Sequence, residues 1–149
     1  MNYLLPMQPL DPRTLFSIFE QGDEEIYKEH GIEENLKNPY VLMGMVLRGL
    51  ENYTIMDMMY TRHYGDQYRN VKSTIKLKYF NKLFSYLTRI DHTDFNSIYT
   101  IGESFEKQEV YIGLEKLKKY FEVIEHYEKC AVIKNFQDFL QETQVKTTV

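Results

Sequence analysis

Asn38-Pro39-Tyr40-Val41-Leu42-Met43-Gly44-Met45-Val46-Leu47-Arg48-Gly49-Leu50-Glu51-Asn52-Tyr53-Thr54-Ile55-Met56-Asp57-Met58-Met59-Tyr60 is the stretch on which the fold turns. Asn38 offers a side-chain oxygen that caps a helix, and Pro39 brings a pre-set φ to the first helical position. Behind them Val41, Leu42, Met45, Val46, Leu50, Tyr53 and Met56 recur at three- and four-residue steps, the spacing of one buried helical face. The methionines Met43, Met45, Met56, Met58 and Met59 read either as core filling or as an adaptable docking surface. Gly44 and Gly49 lower helix propensity, so they point to a close helix crossing. Gly65 is the natural stop.

Working outward, Asp66 is expected to cap a helix running to about Ile90. Asp91-His92-Thr93-Asp94 is the clearest interior turn, since three of its four residues favour caps and turns. A weak element, Phe95 to Ile101, should end at Gly102, and helices over Glu103–Ile124 and Tyr127–Gln141 follow. Upstream, Asp11-Pro12 repeats the cap-plus-proline signal, with Leu15, Phe16 and Phe19 inward and Gly22 as the stop. Asp23 to Glu29 could add acidic turns ending at Gly31. All four prolines, Pro6, Pro9, Pro12 and Pro39, fall in the first 39 residues, and no Asn-Gly or Asp-Gly turn joins two strand-like runs. The expectation is an all-α protein: a compact bundle of about four main helices with short N-terminal turns. One helical domain is expected over residues 1–141, with a flexible tail at 142–149.

The composition agrees with a globular chain. Its 149 residues are 43% apolar and 27% charged, with a net charge of -4. Cys130 is the single cysteine, which excludes an internal disulfide and any multi-cysteine zinc site. The longest uncharged runs fall short of the roughly 18–20 apolar residues of a membrane span. Residues 2–10 hold no Lys or Arg, a poor signal peptide, so a cytoplasmic location is expected. One alanine and a 13-to-5 excess of Lys over Arg resemble the coding of an AT-rich genome, as in a low-GC bacterium, plasmid or phage.

Charge is distributed unevenly. Residues 1–59 sum to -6, whereas residues 60–90 hold seven cations against Asp66 alone, for +6. On a helical wheel Leu77, Phe80, Leu83, Phe84, Leu87 and Ile90 lie together, and Tyr68, Val71 and Ile75 form the earlier apolar stripe. Arg69, Lys72 and Lys76 continue the line of Phe80, Leu83 and Leu87, so three cations extend a buried face. With Arg62, Tyr64 and Tyr68 they compose a basic, tyrosine-interleaved patch that could meet single-stranded nucleic acid or another polyanion. The other reading pairs these cations with the acidic residues 20–34, or leaves them solvated. A net charge of -4 argues against a dedicated duplex-DNA binder.

Templates for chemistry are sparse. No Glu-x-x-His, His-Glu-x-x-His, Walker A or Gly-x-Ser-x-Gly occurs. Glu122, His126 and Cys130 share a spacing of four, which fits a metal site, a Cys–His pair, or a small core cysteine. Glu106/Glu109 and Glu122/Glu125 are similar in spacing to the two Glu-x-x-Glu/Asp pairs of MazG-type all-α nucleotide pyrophosphatases, although the second pair ends in Glu where that family has Asp. The likeness implies magnesium-dependent nucleotide hydrolysis. The alternative is a solvated helix surface, since Lys107, Lys116, Lys118, Lys119 and Lys129 are interspersed.

Residues 114–140 resemble the UVR motif, a helical hairpin through which nucleotide-excision-repair proteins contact one another. The matching core is Tyr127-Glu128-Lys129-Cys130-Ala131-x-Ile133-Lys134. The sequence departs at Asn135, where the family has Asp, and by one residue added before Tyr127. The resemblance implies a protein-contact hairpin using Tyr127, Glu128, Lys129, Ile133 and Lys134. Tyr127 and Ala131 should close it against Leu114, Leu117 and Phe121, with small Cys130 and Ala131 permitting close approach. The leading expectation is thus a non-enzymatic adaptor with a protein partner, off the membrane, with no catalytic residue, cofactor or metal assigned.

Overall fold

The computed structural model describes residues 37–147. The turns expected over residues 11–29 lie outside them. Five helices follow in order: α1 Pro39–Tyr64, α2 Asp66–Thr88, α3 Phe95–Ser104, α4 Lys107–Val123 and α5 Tyr127–Thr147. No strand occurs among the described residues, so the fold is all-α.

Local chemistry sets most boundaries. The Asn38 side chain accepts from the Tyr40 N–H at 2.9 Å, as an N-cap should. Gly65 sits at φ 54, where its N–H closes α1 on Thr61 O and its carbonyl accepts the Arg69 N–H of α2. Only a residue without a Cβ adopts that backbone freely. Asp66 is therefore not the cap expected of it; it is the first helical residue, and its carboxylate pairs with Arg69 at 3.2 Å. In the interior turn Asp91 accepts from the Thr93 N–H, and Asp94 caps α3 on Asn96.

Two boundaries differ from expectation. α3 runs through Gly102 to Ser104, and α4 begins at Lys107 rather than Glu103. The break is Phe105, extended at φ -129, whose ring stacks on Tyr40 of α1 at 5.2 Å. Burying that ring against a distant helix outweighs continuing a local one. The last helix extends to Thr147.

α1 lies at the centre, packed on α2, α3 and α4, while α5 packs on α4 and α3. Leu42, Met43 and Val46 of α1 meet Leu83 and Leu87 of α2, Ile98 and Ile101 of α3, Leu114, Leu117 and Phe121 of α4, and Ile133 and Phe136 of α5 in one core. Gly49 is the close crossing: a Cβ there would overlap the Leu83 side chain, and the Tyr79 hydroxyl donates to Gly49 O at 2.8 Å. Gly44 is not, since a Cβ would stand 3.7 Å from Phe105, an ordinary contact. The methionines divide: Met43 is fully buried, whereas Met58 and Met59 are exposed.

A cationic, aromatic groove as candidate functional site

α2 packs along α1, and α4 packs along α5. Phe80 and Tyr120 bridge α2 and α4 with ring centroids 4.4 Å apart, and Phe84 meets Phe121 at 5.6 Å. Beside this bridge a groove of about 860 Å³ opens between α1, α2 and α4. Its apolar surface comes from Leu50, Leu77, Phe80, Val123 and Ile124. Thr54, Ser73 and Thr74 add hydroxyls, and Lys76, Lys116, Lys119 and His126 add nitrogen; no carboxylate lines it. The size is that of a ligand or docking cleft.

Lys76 has its ammonium 5.2 Å from the Tyr120 centroid, 5.6 Å from Phe80 and 5.8 Å from Tyr53. Ring faces are negative, so three rings partly replace the water this cation loses. Tyr53 is 6% exposed, and its buried hydroxyl has no hydrogen-bond partner among the described residues. Burial first, then the nearby Asp57 charge, pushes its pKa up to about 12. Beyond it, the Tyr68 hydroxyl donates to Asp57 Oδ1 at 2.7 Å, and Lys72 Nζ lies 3.1 Å and 3.2 Å from the two Asp57 oxygens. Burial and the bond to Asp57 hold the Tyr68 proton far above the usual tyrosine range.

The basic patch read from sequence is thereby split. Arg62, Tyr64 and Arg69 are exposed at the α1–α2 corner, with Arg69 on Asp66. Tyr68 is 1% exposed, so it offers no face for a base to stack on. Lys72 is tied to Asp57, and Lys76 turns into the groove. Residues 20–34, the other suggested partners, lie outside the described residues.

The glutamate pairs do not meet. Glu106 and Glu109 stand at the N-terminal end of α4, and Glu122 stands at its C-terminal end. Thirteen residues at 1.5 Å separate Glu109 from Glu122 by about 20 Å. No group of three or more His, Cys, Asp or Glu among the described residues could hold a metal ion. The Glu122–His126–Cys130 face is interrupted, because α4 ends at Val123 and α5 starts at Tyr127. His126 N–H donates to Phe121 O and Glu125 N–H to Glu122 O, with Glu125 at φ 62: a Schellman ending that carries Glu where glycine is favoured. Cys130 is half-buried with its thiol toward Lys118 O, and burial raises its pKa.

The α4–α5 hairpin closes through other residues of α5 than Tyr127 and Ala131, the pair expected to close it. Leu114, Leu117 and Phe121 are buried, but Ile133 and Phe136 pack on them. Tyr127, 63% exposed, and Ala131 face solvent. The Schellman turn sets the phase of α5, which puts Tyr127, Ala131 and Lys134 on one outer stripe. Lys129 lies over Phe121 at 5.0 Å and bonds Asn81 of α2, so it and Ile133 serve the fold. Tyr127, Glu128 and Lys134 remain at the surface.

Sequence reasoning placed Lys116 and Lys119 on a solvated face and missed the groove. The available signal was Lys116, Lys119, Tyr120 and Val123 at i, i+3, i+4 and i+7, but that stripe has no meaning until α2 is known to stand opposite. No known protein family matches the chain, and neither does any curated protein or solved structure. No described helix is long and apolar enough to cross a membrane.

Proposed function

We propose that the chain is a non-enzymatic, protein-binding adaptor that docks its partner on the face formed by α1 and α4. The observation that carries this is a row of large apolar side chains left in water. Ile55, Met58 and Met59 are 57%, 61% and 53% exposed at i, i+3 and i+4 on α1, and Ile112 of α4 is 51% exposed. Single exposed apolar residues are ordinary, whereas a row flanking a cleft is what an interface offers. Ile55 and Ile112 line a depression of about 540 Å³ that shares Leu50, Thr54 and Lys116 with the larger groove, so the face is continuous. Methionines suit such a surface because they repack at little loss. Nucleic acid is the weaker reading, since Tyr68 is buried and Lys72 is already paired.

The test compares Ile55→Asp/Met58→Asp with Tyr127→Asp in the full chain. Both changes fall on exposed positions and should leave helicity intact by circular dichroism. Tagged wild type should recover a stoichiometric protein partner from its native host, Tyr127→Asp should keep it, and the α1 double variant should lose it. Retention by the double variant, with loss by Tyr127→Asp, would move the contact to the α4–α5 hairpin. Submicromolar binding to single-stranded DNA at physiological salt would put nucleic acid first.

A further inference from the structure

Resting on the adaptor reading, we infer that the α1–α2–α4 groove receives an acidic amphipathic helix of the partner. Three features of the groove select that occupant. Its walls are helices whose lining residues recur at helical spacing, Lys76, Leu77 and Phe80 on α2 and Lys119, Tyr120 and Val123 on α4. Two such ridges flank the space a further helix would fill, as when an amphipathic helix lays its apolar face into a groove. Along α4 the lining spans Lys116 to Val123. At 1.5 Å per residue that is about 10 Å, or two turns of an occupant.

The second feature is sign. Lys76, Lys116 and Lys119 are present and no carboxylate lines the groove, although the chain as a whole is net negative. Neither Lys116 nor Lys119 makes an ion pair within 4 Å among the described residues, and Lys119 adds only its longer-range charge to the lowering of the Glu115 carboxyl that Lys118 dominates. Cations at a rim speed association and reject like charge, so an acidic occupant is selected over a basic one. The third feature is the floor. Leu77, Val123 and Ile124 offer apolar area, while Tyr53 is buried and Tyr120 is held between Phe80 and Phe121. Neither ring is presented face-up for a nucleobase, so the floor fits leucine-type side chains better than a single strand.

The test uses the full chain and a labelled helical peptide with leucines at i, i+3, i+4 and i+7 and glutamates elsewhere. Its counterpart carries lysine for every glutamate, and a labelled oligothymidine is the third probe. Fluorescence anisotropy should show binding of the glutamate peptide alone. Lys116→Glu/Lys119→Glu should weaken it by roughly tenfold or more and admit the lysine peptide. Both sites are exposed, so circular dichroism should be unchanged. Equal binding of the two peptides, tighter binding of the oligothymidine, or self-association of the chain that the double charge reversal abolishes would each overturn the proposal. The outcome is separable from the adaptor test. A glutamate peptide that fails while Ile55→Asp/Met58→Asp still loses the host partner removes only the helix; a peptide that binds while that partner is retained removes only the α1–α4 face.

Discussion

Replacing Lys76 tests whether the cations on the buried line of α2 face inward. Its ammonium stands within 6 Å of three ring centroids, nearest to Tyr120 at 5.2 Å. A cation–π contact contributes about 0.5–1 kcal/mol where exposed and about 2 when dry. Lys76 is half-buried, and one cation shares three rings. The coupling to Tyr120 alone should therefore fall near 0.5–1 kcal/mol. Single changes cannot isolate it, because Lys76→Met also gains apolar contact and Tyr120→Leu also loses Phe80 and Phe121. A double-mutant cycle of Lys76→Met and Tyr120→Leu removes both side effects. Urea unfolding is a suitable assay: at a slope of about 2 kcal/mol/M the coupling moves a midpoint by about 0.3–0.5 M. A coupling below about 0.3 kcal/mol, with Lys76→Met alone stabilising the chain, would refute the inward placement and return Lys76 to an external anion.

Three further outcomes follow from the packing and the titrations. Gly49→Ala should destabilise by up to about 2 kcal/mol, since overpacking against Leu83 costs about 1–3 and alanine returns about 1 in helix propensity. That lowers Tm by up to about 6 °C at this chain length, and Leu83→Ala in the same chain should lessen the penalty. Glu125→Gly should raise stability by up to about 1 kcal/mol, because left-handed backbone costs a side-chain-bearing residue about 1–2 and glycine loses part of that as entropy. A fall in thermal stability would contradict the Schellman assignment. Tyr53 titrates in the folded state at about 12 against an ordinary 10.0. Its raised pKa means that its contribution to stability is complete below pH 10 and is lost as pH climbs from there toward 12. The part of the tyrosinate absorbance that belongs to Tyr53 and Tyr68 should lag behind free phenol and appear together with loss of helicity; complete titration of all thirteen tyrosines as free phenols with the helices intact would exclude the buried network.

What was legible in the sequence was whatever a few neighbouring residues settle. Asn38-Pro39, Gly65 and Asp91 to Asp94 act through their own backbone, and the helix ends fall where those groups place them. Phe105 was not legible, because the partner that extends it is Tyr40, far back in the chain. The same division explains the site. The wheel exposed Arg69, Lys72 and Lys76 as cations on an apolar line, a conflict between pattern and core that marks a site more often than an error. It could not reveal that Asp57 answers Lys72, or that Lys116 and Lys119 stand across from Lys76.

The conflict itself lines the groove. From Phe80 onward the apolar line of α2 closes on α4 through Tyr120 and Phe121. One turn earlier the line becomes Lys76, whose ammonium lies 5.2 Å from the Tyr120 centroid of α4 and lines the groove where an apolar side chain would continue the stripe. The cation that interrupts the buried stripe is thus also the one that gives the half-apolar cleft between α1, α2 and α4 its charge on the α2 side.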